Sequence, residues 1–158
     1  MRNQTILTES SLRQLREELE YLKTSKRREL AEALRTARAY GDLSENFEYH
    51  AARRDQAIVN GRIAQIEAMI EHATIVSDEP AGDPDAIGLG SRVRVRIIDD
   101  NEEWEFTLVD PVQADPIMDL ISIQSPMASA LLDKTVGDVV DVAAPGGVIR
   151  YEILGIQR

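Results

Sequence analysis

The apolar residues in the first half of the chain recur at helical spacing. From Leu12 onward, Leu15, Leu19 and Leu22 fall three and four apart, the stripe of a helix that buries one face, and Thr8 is placed to cap its start. Where the next apolar residue is due stands Lys26-Arg27-Arg28, and Leu30, Leu34 and Ala37 then resume the stripe in a shifted phase. A break of this kind, equivalent to four inserted residues, is a stutter that locally unwinds a supercoil. A second stripe runs unbroken through Tyr49, Ala52, Gln56, Val59, Ile63, Ile66, Ile70 and Ala73, as the seam of a two-stranded coiled coil does. Gly41 closes the first helix, and little beyond Gly41 to Ser44 separates the two patterns, so the helices are expected to be antiparallel neighbours. Each covers roughly 30 residues, which at 1.5 Å per residue gives a hairpin of about 45 Å. No third helical pattern of that length exists to cover it, so the hairpin is expected to protrude.

Between His72 and Gly90 the helical period stops and Asp78-Glu79-Pro80, Gly82-Asp83-Pro84 and Gly88 mark a linker or long loop. Beyond it the pattern changes to alternation over Val93 to Ile97 and over Trp104 to Val109, with Trp104, Phe106 and Leu108 on one face. Leu120 to Ile123 is a further strand. Ser125 followed by Pro126 reads as the cap and first position of a short helix through Met127, Leu131 and Leu132. Val139 to Val142 and Val148 to Ile156 are strands around the turn Pro145-Gly146-Gly147. The fold class is α+β: a long antiparallel coiled-coil hairpin over 1–76, a linker over 77–90, and a small antiparallel sheet domain with one short helix over 91–158.

Composition changes this picture in one respect. The formal net charge is −10, yet residues 1–75 carry twelve basic and twelve acidic side chains while 76–158 carry six and sixteen. The acidic half is repelled by a phosphate backbone, whereas the balanced half remains open to phosphate contact. With no cysteine, disulfides, thiolate nucleophiles and cysteine metal sites are excluded. No apolar segment resembles a signal peptide or a membrane span, so a soluble, cytoplasmic chain with no membrane partner is expected. Nothing in the pattern marks a site for a stable small-molecule ligand.

The candidate chemistry lies between the two helices, in Tyr40-Gly41-Asp42-Leu43-Ser44-Glu45-Asn46. Asp42 and Glu45, three apart ahead of a helix, admit two readings. They form a capping box, each side chain bonding the other's amide. Alternatively they hold Mg²⁺, a hard cation that takes carboxylate oxygens and needs further ligands from elsewhere. Arg35 and Arg38 on the incoming helix and Arg53 and Arg54 on the outgoing one fall at similar heights, either as solvated faces or as a collar that grips a nucleic-acid phosphate. Tyr40 and Phe47 are aromatic surfaces on which a base can stack. Lys26-Arg27-Arg28 reads as a solvated face, and His50 and His72 lack partners at ligand spacing. Arg92, Arg94 and Arg96 share a strand face beside Asp99, Asp100, Glu102 and Glu103, a salt-bridged sheet surface.

The run Ala37 to Arg53, ARAYGDLSENFEYHAAR, resembles the tip signature of the bacterial Gre transcript cleavage and elongation factors. Through Glu48-Tyr49-His50-Ala51-Ala52 it is nearer the GreA than the GreB branch of that family. Asp119 to Pro126, Val136 to Val140, Pro145-Gly146-Gly147 and Tyr151-Glu152-Ile153 are similar to the family's C-terminal domain. The family carries a basic residue near Ser129 and a glycine near Asp133, and this chain has neither. The resemblance implies an FKBP-like C-terminal domain that docks on bacterial RNA polymerase, with Ser125, Pro126, Met127 and Leu131 as docking residues. It further implies a hairpin that enters the polymerase's secondary channel. By match of position, Asp42 and Glu45 would share Mg²⁺ with the polymerase's active centre and promote cleavage of the 3′ end of backtracked RNA. Arg35, Arg38, Arg53, Arg54, Tyr40 and Phe47 would face that RNA. On this implication the chain is not an enzyme but stimulates one. A non-cleaving channel regulator on the same scaffold and a plain coiled-coil adaptor are the alternatives.

Overall fold

The computed structural model describes residues 4–42, 46–80 and 82–158. They divide into two compact units, one containing Leu12–Ala73 and the other combining Thr5–Ser11 with Thr74–Arg158. The architecture is α+β, a helical hairpin followed by a sheet domain.

The hairpin is built from α1 (Glu9–Tyr21), a π-helical turn (Leu22–Lys26), α2 (Arg27–Arg38) and α3 (Phe47–Glu71). Thr8 caps α1, its hydroxyl oxygen accepting a 3.2 Å bond from the Ser11 amide. Both stripes face inward. Leu15, Leu22, Leu30, Leu34 and Ala37 are buried on one side of the seam, and Ala52, Val59, Ile63 and Ile66 on the other. The stutter is resolved as the π turn, which accommodates more residues per turn than an α-helix and brings Leu30 back onto the seam. Lys26 occupies the seam position between Leu22 and Leu30, half-buried, with its ammonium 3.3 Å from Glu29 Oε1. At the start of the wide turn the Thr24 hydroxyl donates to the Glu20 carbonyl at 2.7 Å. Across the hairpin the Arg62 guanidinium donates twice to Glu18, Nε to Oε1 at 2.8 Å and Nη2 to Oε2 at 3.0 Å, and Lys23 pairs with Glu67 at 2.8 Å. The bidentate bond holds the Glu18 carboxyl below its ordinary range and raises Arg62, desolvation opposing both shifts.

In the second unit β1 (Thr5–Thr8) and β2 (Ala73–Val76) form a two-stranded sheet. The main sheet contains β3 (Arg92–Ile97), β4 (Glu102–Val109), β5 (Leu120–Ser122), β6 (Val139–Ala144) and β7 (Gly147–Gln157), ordered β5-β4-β3-β7-β6. Its core follows from alternation. Val93, Val95, Phe106, Leu108 and Ile153 point inward against Ala128 and Leu131 of α4 (Pro126–Leu131), and each is at most 1% exposed. Full burial of such side chains contributes about 1.5–3 kcal/mol apiece. Burial also pushes the Tyr151 phenol up.

Three features go beyond the expected arrangement. The sheet is not wholly antiparallel, because β5 pairs parallel with β4. The chain reverses between them through the turn Pro116–Met118, capped by Asp115 and ended by Asp119 in the left-handed region, so that β5 runs alongside β4. The arginine face is salt-bridged, but its partners lie across the strands, not in the acidic run 99–103. Arg92 Nε meets Glu105 at 2.8 Å, Arg96 meets Glu152, and Arg150 meets Asp141 at 3.5 Å. Finally, residues 5–11, which include the first turn of α1, cluster with the C-terminal unit. The Thr8 amide and hydroxyl donate to Asp110 Oδ2 at 2.9 and 3.1 Å, and the Ser10 hydroxyl donates to Asp78 at 2.6 Å. Among the described residues no helix is long and apolar enough to cross a membrane.

Candidate functional site

The turn between α2 and α3 tightens as α2 ends. The amides of Ala39, Tyr40 and Gly41 donate to the carbonyls three residues back, and Gly41 takes φ +106°, a conformation that favours glycine. Asp42 follows immediately, exposed. Glu45 lies outside the described residues.

The N-cap of α3 is Asn46, not Asp42. The Asn46 side-chain oxygen accepts from the Tyr49 amide at 3.1 Å, and its amide nitrogen donates to the Ala37 carbonyl at 2.6 Å. One side chain thus fastens the end of α2 to the start of α3. The capping-box reading of Asp42 with Glu45 involves a residue outside the described ones. Asn46 is a positioning residue that the sequence reading did not single out, although Asn directly before a helical stripe is a recognised start signal.

Around Asp42 the residues Tyr40, Asn46, Phe47 and Glu48 line an open hollow of about 470 Å³. Tyr40 is 70% and Phe47 89% exposed, large apolar surfaces presented at the turn and not packed in a core. Arg35, Arg38, Arg53 and Arg54 are all exposed, and Arg35 pairs with Glu32 at 3.0 Å. His50 stands edge-on to Tyr49, their ring centroids 5.5 Å apart. Among the described residues no three His, Asp or Glu side chains gather where they could hold a metal.

The four C-terminal candidates separate. Ser125 caps α4, accepting from the Ala128 amide at 3.1 Å, Pro126 is exposed and Met127 is half-buried. Leu131 is fully buried in the core, so it holds α4 in place and presents nothing to a docking partner.

A helical hairpin bearing an exposed acid and two aromatics at its turn, joined to a sheet domain, defines a class of two-domain factors. The comparisons specify it further. Residues 5–75 match the family model "Transcription elongation factor, N-terminal", and residues 81–158 match "Transcription elongation factor, GreA/GreB, C-term". The chain is 48% identical to the transcription elongation factor GreA of Thermoanaerobacter pseudethanolicus over 100% of both chains. It is 47% identical to the GreA of Clostridium acetobutylicum over 96% of both. Among solved structures, the crystal structure of GreA factor homolog 1 of Thermus thermophilus matches over 99% of this chain and 100% of that chain, at 26% identity and TM-score 0.45. The chain belongs to the GreA/GreB family of transcription elongation factors.

Proposed function

We propose that this chain binds RNA polymerase, passes its hairpin into the secondary channel and stimulates cleavage of the 3′ end of backtracked RNA. The observation that carries the reading is the exposure of Asp42 at the hairpin turn, in a chain of this family.

The Asp42 carboxylate is the hard oxygen donor that Mg²⁺ takes, and with Glu45 the tip offers two such groups, the number for which that ion commonly relies on further ligands from its surroundings. When bound, Mg²⁺ supplies charge stabilisation at the scissile phosphate and an activated water. On this reading the polymerase provides the remaining ligands and breaks the bond, so the chain is not itself an enzyme. Arg38, Arg53 and Arg54 hold the displaced RNA through charge-assisted bonds to phosphate, with Arg35 in support. Tyr40 and Phe47 stack on its terminal base, a contact worth about 1–3 kcal/mol per base. Ser125, Pro126 and Met127 form part of the docking face, with Leu131 behind them as packing.

The test uses stalled, backtracked elongation complexes with Mg²⁺, reading short 3′ RNA fragments beside a polymerase-binding measurement. Asp42→Asn and Glu45→Gln should each keep binding and lose cleavage by about 100-fold or more. Full cleavage by either variant refutes the assignment. Binding without cleavage by the unaltered chain would instead make it a non-cleaving channel regulator.

A further inference from the structure

The Asn46 side chain joins parts of the hairpin that lie on either side of its turn. Its nitrogen reaches back nine residues to donate to the Ala37 carbonyl at 2.6 Å, while its oxygen accepts from the Tyr49 amide at 3.1 Å. The two partners fix the orientation of the amide, since only its oxygen can accept from an N–H and only its nitrogen can donate to a carbonyl. A serine at this position would keep the cap on Tyr49, but its single short hydroxyl would not span both partners.

Ala37 is a firm place to tie a turn. It is 1% exposed, it ends the buried stripe of α2, and its carbonyl also accepts from the Tyr40 amide at 3.1 Å. Beyond it the chain leaves the helix through Gly41 at φ +106° and carries the exposed Asp42 before it reaches Asn46. Glycine imposes little conformational preference of its own, so the direction in which this turn carries its acid depends on how the two ends are held. Asn46 is half-buried, where its bonds are partly shielded from competing water.

We propose that Asn46 is a positioning residue for transcript cleavage: by clasping the end of α2 to the start of α3, it sets where the turn presents Asp42 to the polymerase. This rests on the cleavage reading above and adds to it a residue that touches neither RNA nor metal. Misplacing a reacting group by about 1 Å can cost about 100-fold in rate, so the clasp serves the reaction as well as the fold.

The experiment compares the full chain with Asn46→Ala and with Asn46→Ser, the neutral variant that keeps the cap. In the free protein, amide exchange at Tyr40 should quicken about fivefold in both, because both lose the bond to Ala37. Exchange at Tyr49 should quicken further in Asn46→Ala, which loses the cap as well. With stalled, backtracked complexes and Mg²⁺, the cleavage rate at saturating factor should fall at least about tenfold in both variants, while the factor concentration giving half that rate stays the same. A fold that was merely weakened would do the reverse, raising the concentration required and sparing the maximal rate. Asn46→Ser is the deciding variant, and it keeps the test open if Asn46→Ala fails to fold. A full maximal rate in Asn46→Ser, or a loss that more factor restores, overturns the proposal. If the unaltered chain releases no fragments, the cleavage reading fails and this assignment falls with it; if it cleaves and the variants match it, the assignment alone fails.

Discussion

Asn46→Ala removes two bonds from the hairpin turn at once. The cap on the Tyr49 amide is worth about 1 kcal/mol. The bond to the Ala37 carbonyl, short at 2.6 Å, adds about 1 kcal/mol more. Because both bonds join the two ends of the turn, the loss of about 2 kcal/mol is local. Protection of the first-turn amides of α3 should fall by about 30-fold, at 1.4 kcal/mol per tenfold. Asn46→Asp keeps the acceptor and forfeits only the donor, so it should show about half the free-energy loss. Asp42→Asn changes an exposed group and should shift stability by no more than about 0.5 kcal/mol. Amide exchange by NMR on these three variants and on Asp42→Ala reads these values residue by residue. Faster exchange at Tyr49 in Asp42→Ala, with none in Asn46→Ala, would refute the reasoning and return Asp42 to a structural role.

Two further outcomes follow from the geometry. The folded pKa of Glu18 lies below its ordinary value of about 4.5, first through the hydrogen bonds from Arg62, so its contribution is present above that value and is lost as pH falls through the folded one. Glu18→Gln should therefore flatten the acid limb of hairpin unfolding below about pH 4.5 and, because both partners are about a third exposed, cost under about 1 kcal/mol at neutral pH; superimposable acid limbs for the variant and the unaltered chain would refute the linkage. Asp133 holds φ +65°, where glycine is unstrained and a β-branched residue is not, so Asp133→Val should cost about 1–2 kcal/mol more than Asp133→Gly in thermal unfolding, and equal stabilities would show that the left-handed conformation is not maintained.

Helical spacing made the hairpin legible because nearly every residue of both stripes is at the seam, and the stutter was visible because Lys26 breaks the run of leucines. Its form as a π turn was not, since the extra residue can be absorbed in more than one backbone geometry and only Leu22–Lys26 shows which. The strands β1 and β2 were hidden for a different reason. Each is four residues long and abuts a helix, and Ala73 sits three after Ile70, so it continues the helical stripe while belonging to a strand. Leu131 illustrates the limit of reading docking residues from a motif, because resemblance marks a segment while burial decides which of its side chains face outward. At the turn, Asp42-x-x-Glu45 and Asn46 are both valid helix starts, and local spacing gives no ground for choosing between them. In the structure the cap of α3 is Asn46, whose side-chain oxygen accepts from the Tyr49 amide while its amide nitrogen donates to the Ala37 carbonyl.

The acidic surplus of the second half invites the thought that acid there serves a partner, and the structure argues otherwise. Asp115 caps the turn at Pro116, Asp119 accepts from the Trp104 indole at 2.9 Å, Asp138 accepts from the Thr135 amide at 2.9 Å, and Asp110 fastens Thr8. Glu105 and Glu152 are matched by arginines on neighbouring strands. These carboxylates act as local acceptors for amides, hydroxyls and guanidiniums that would otherwise lack partners, a structural use of charge. In the charge-balanced hairpin, by contrast, the cap of α3 is a neutral amide, that of Asn46, and Asp42 lies exposed at the turn. An acidic surplus therefore says little by itself about where a partner binds, because the carboxylates that make it up can be acceptors for donors within the fold, and each has to be read from the group it satisfies.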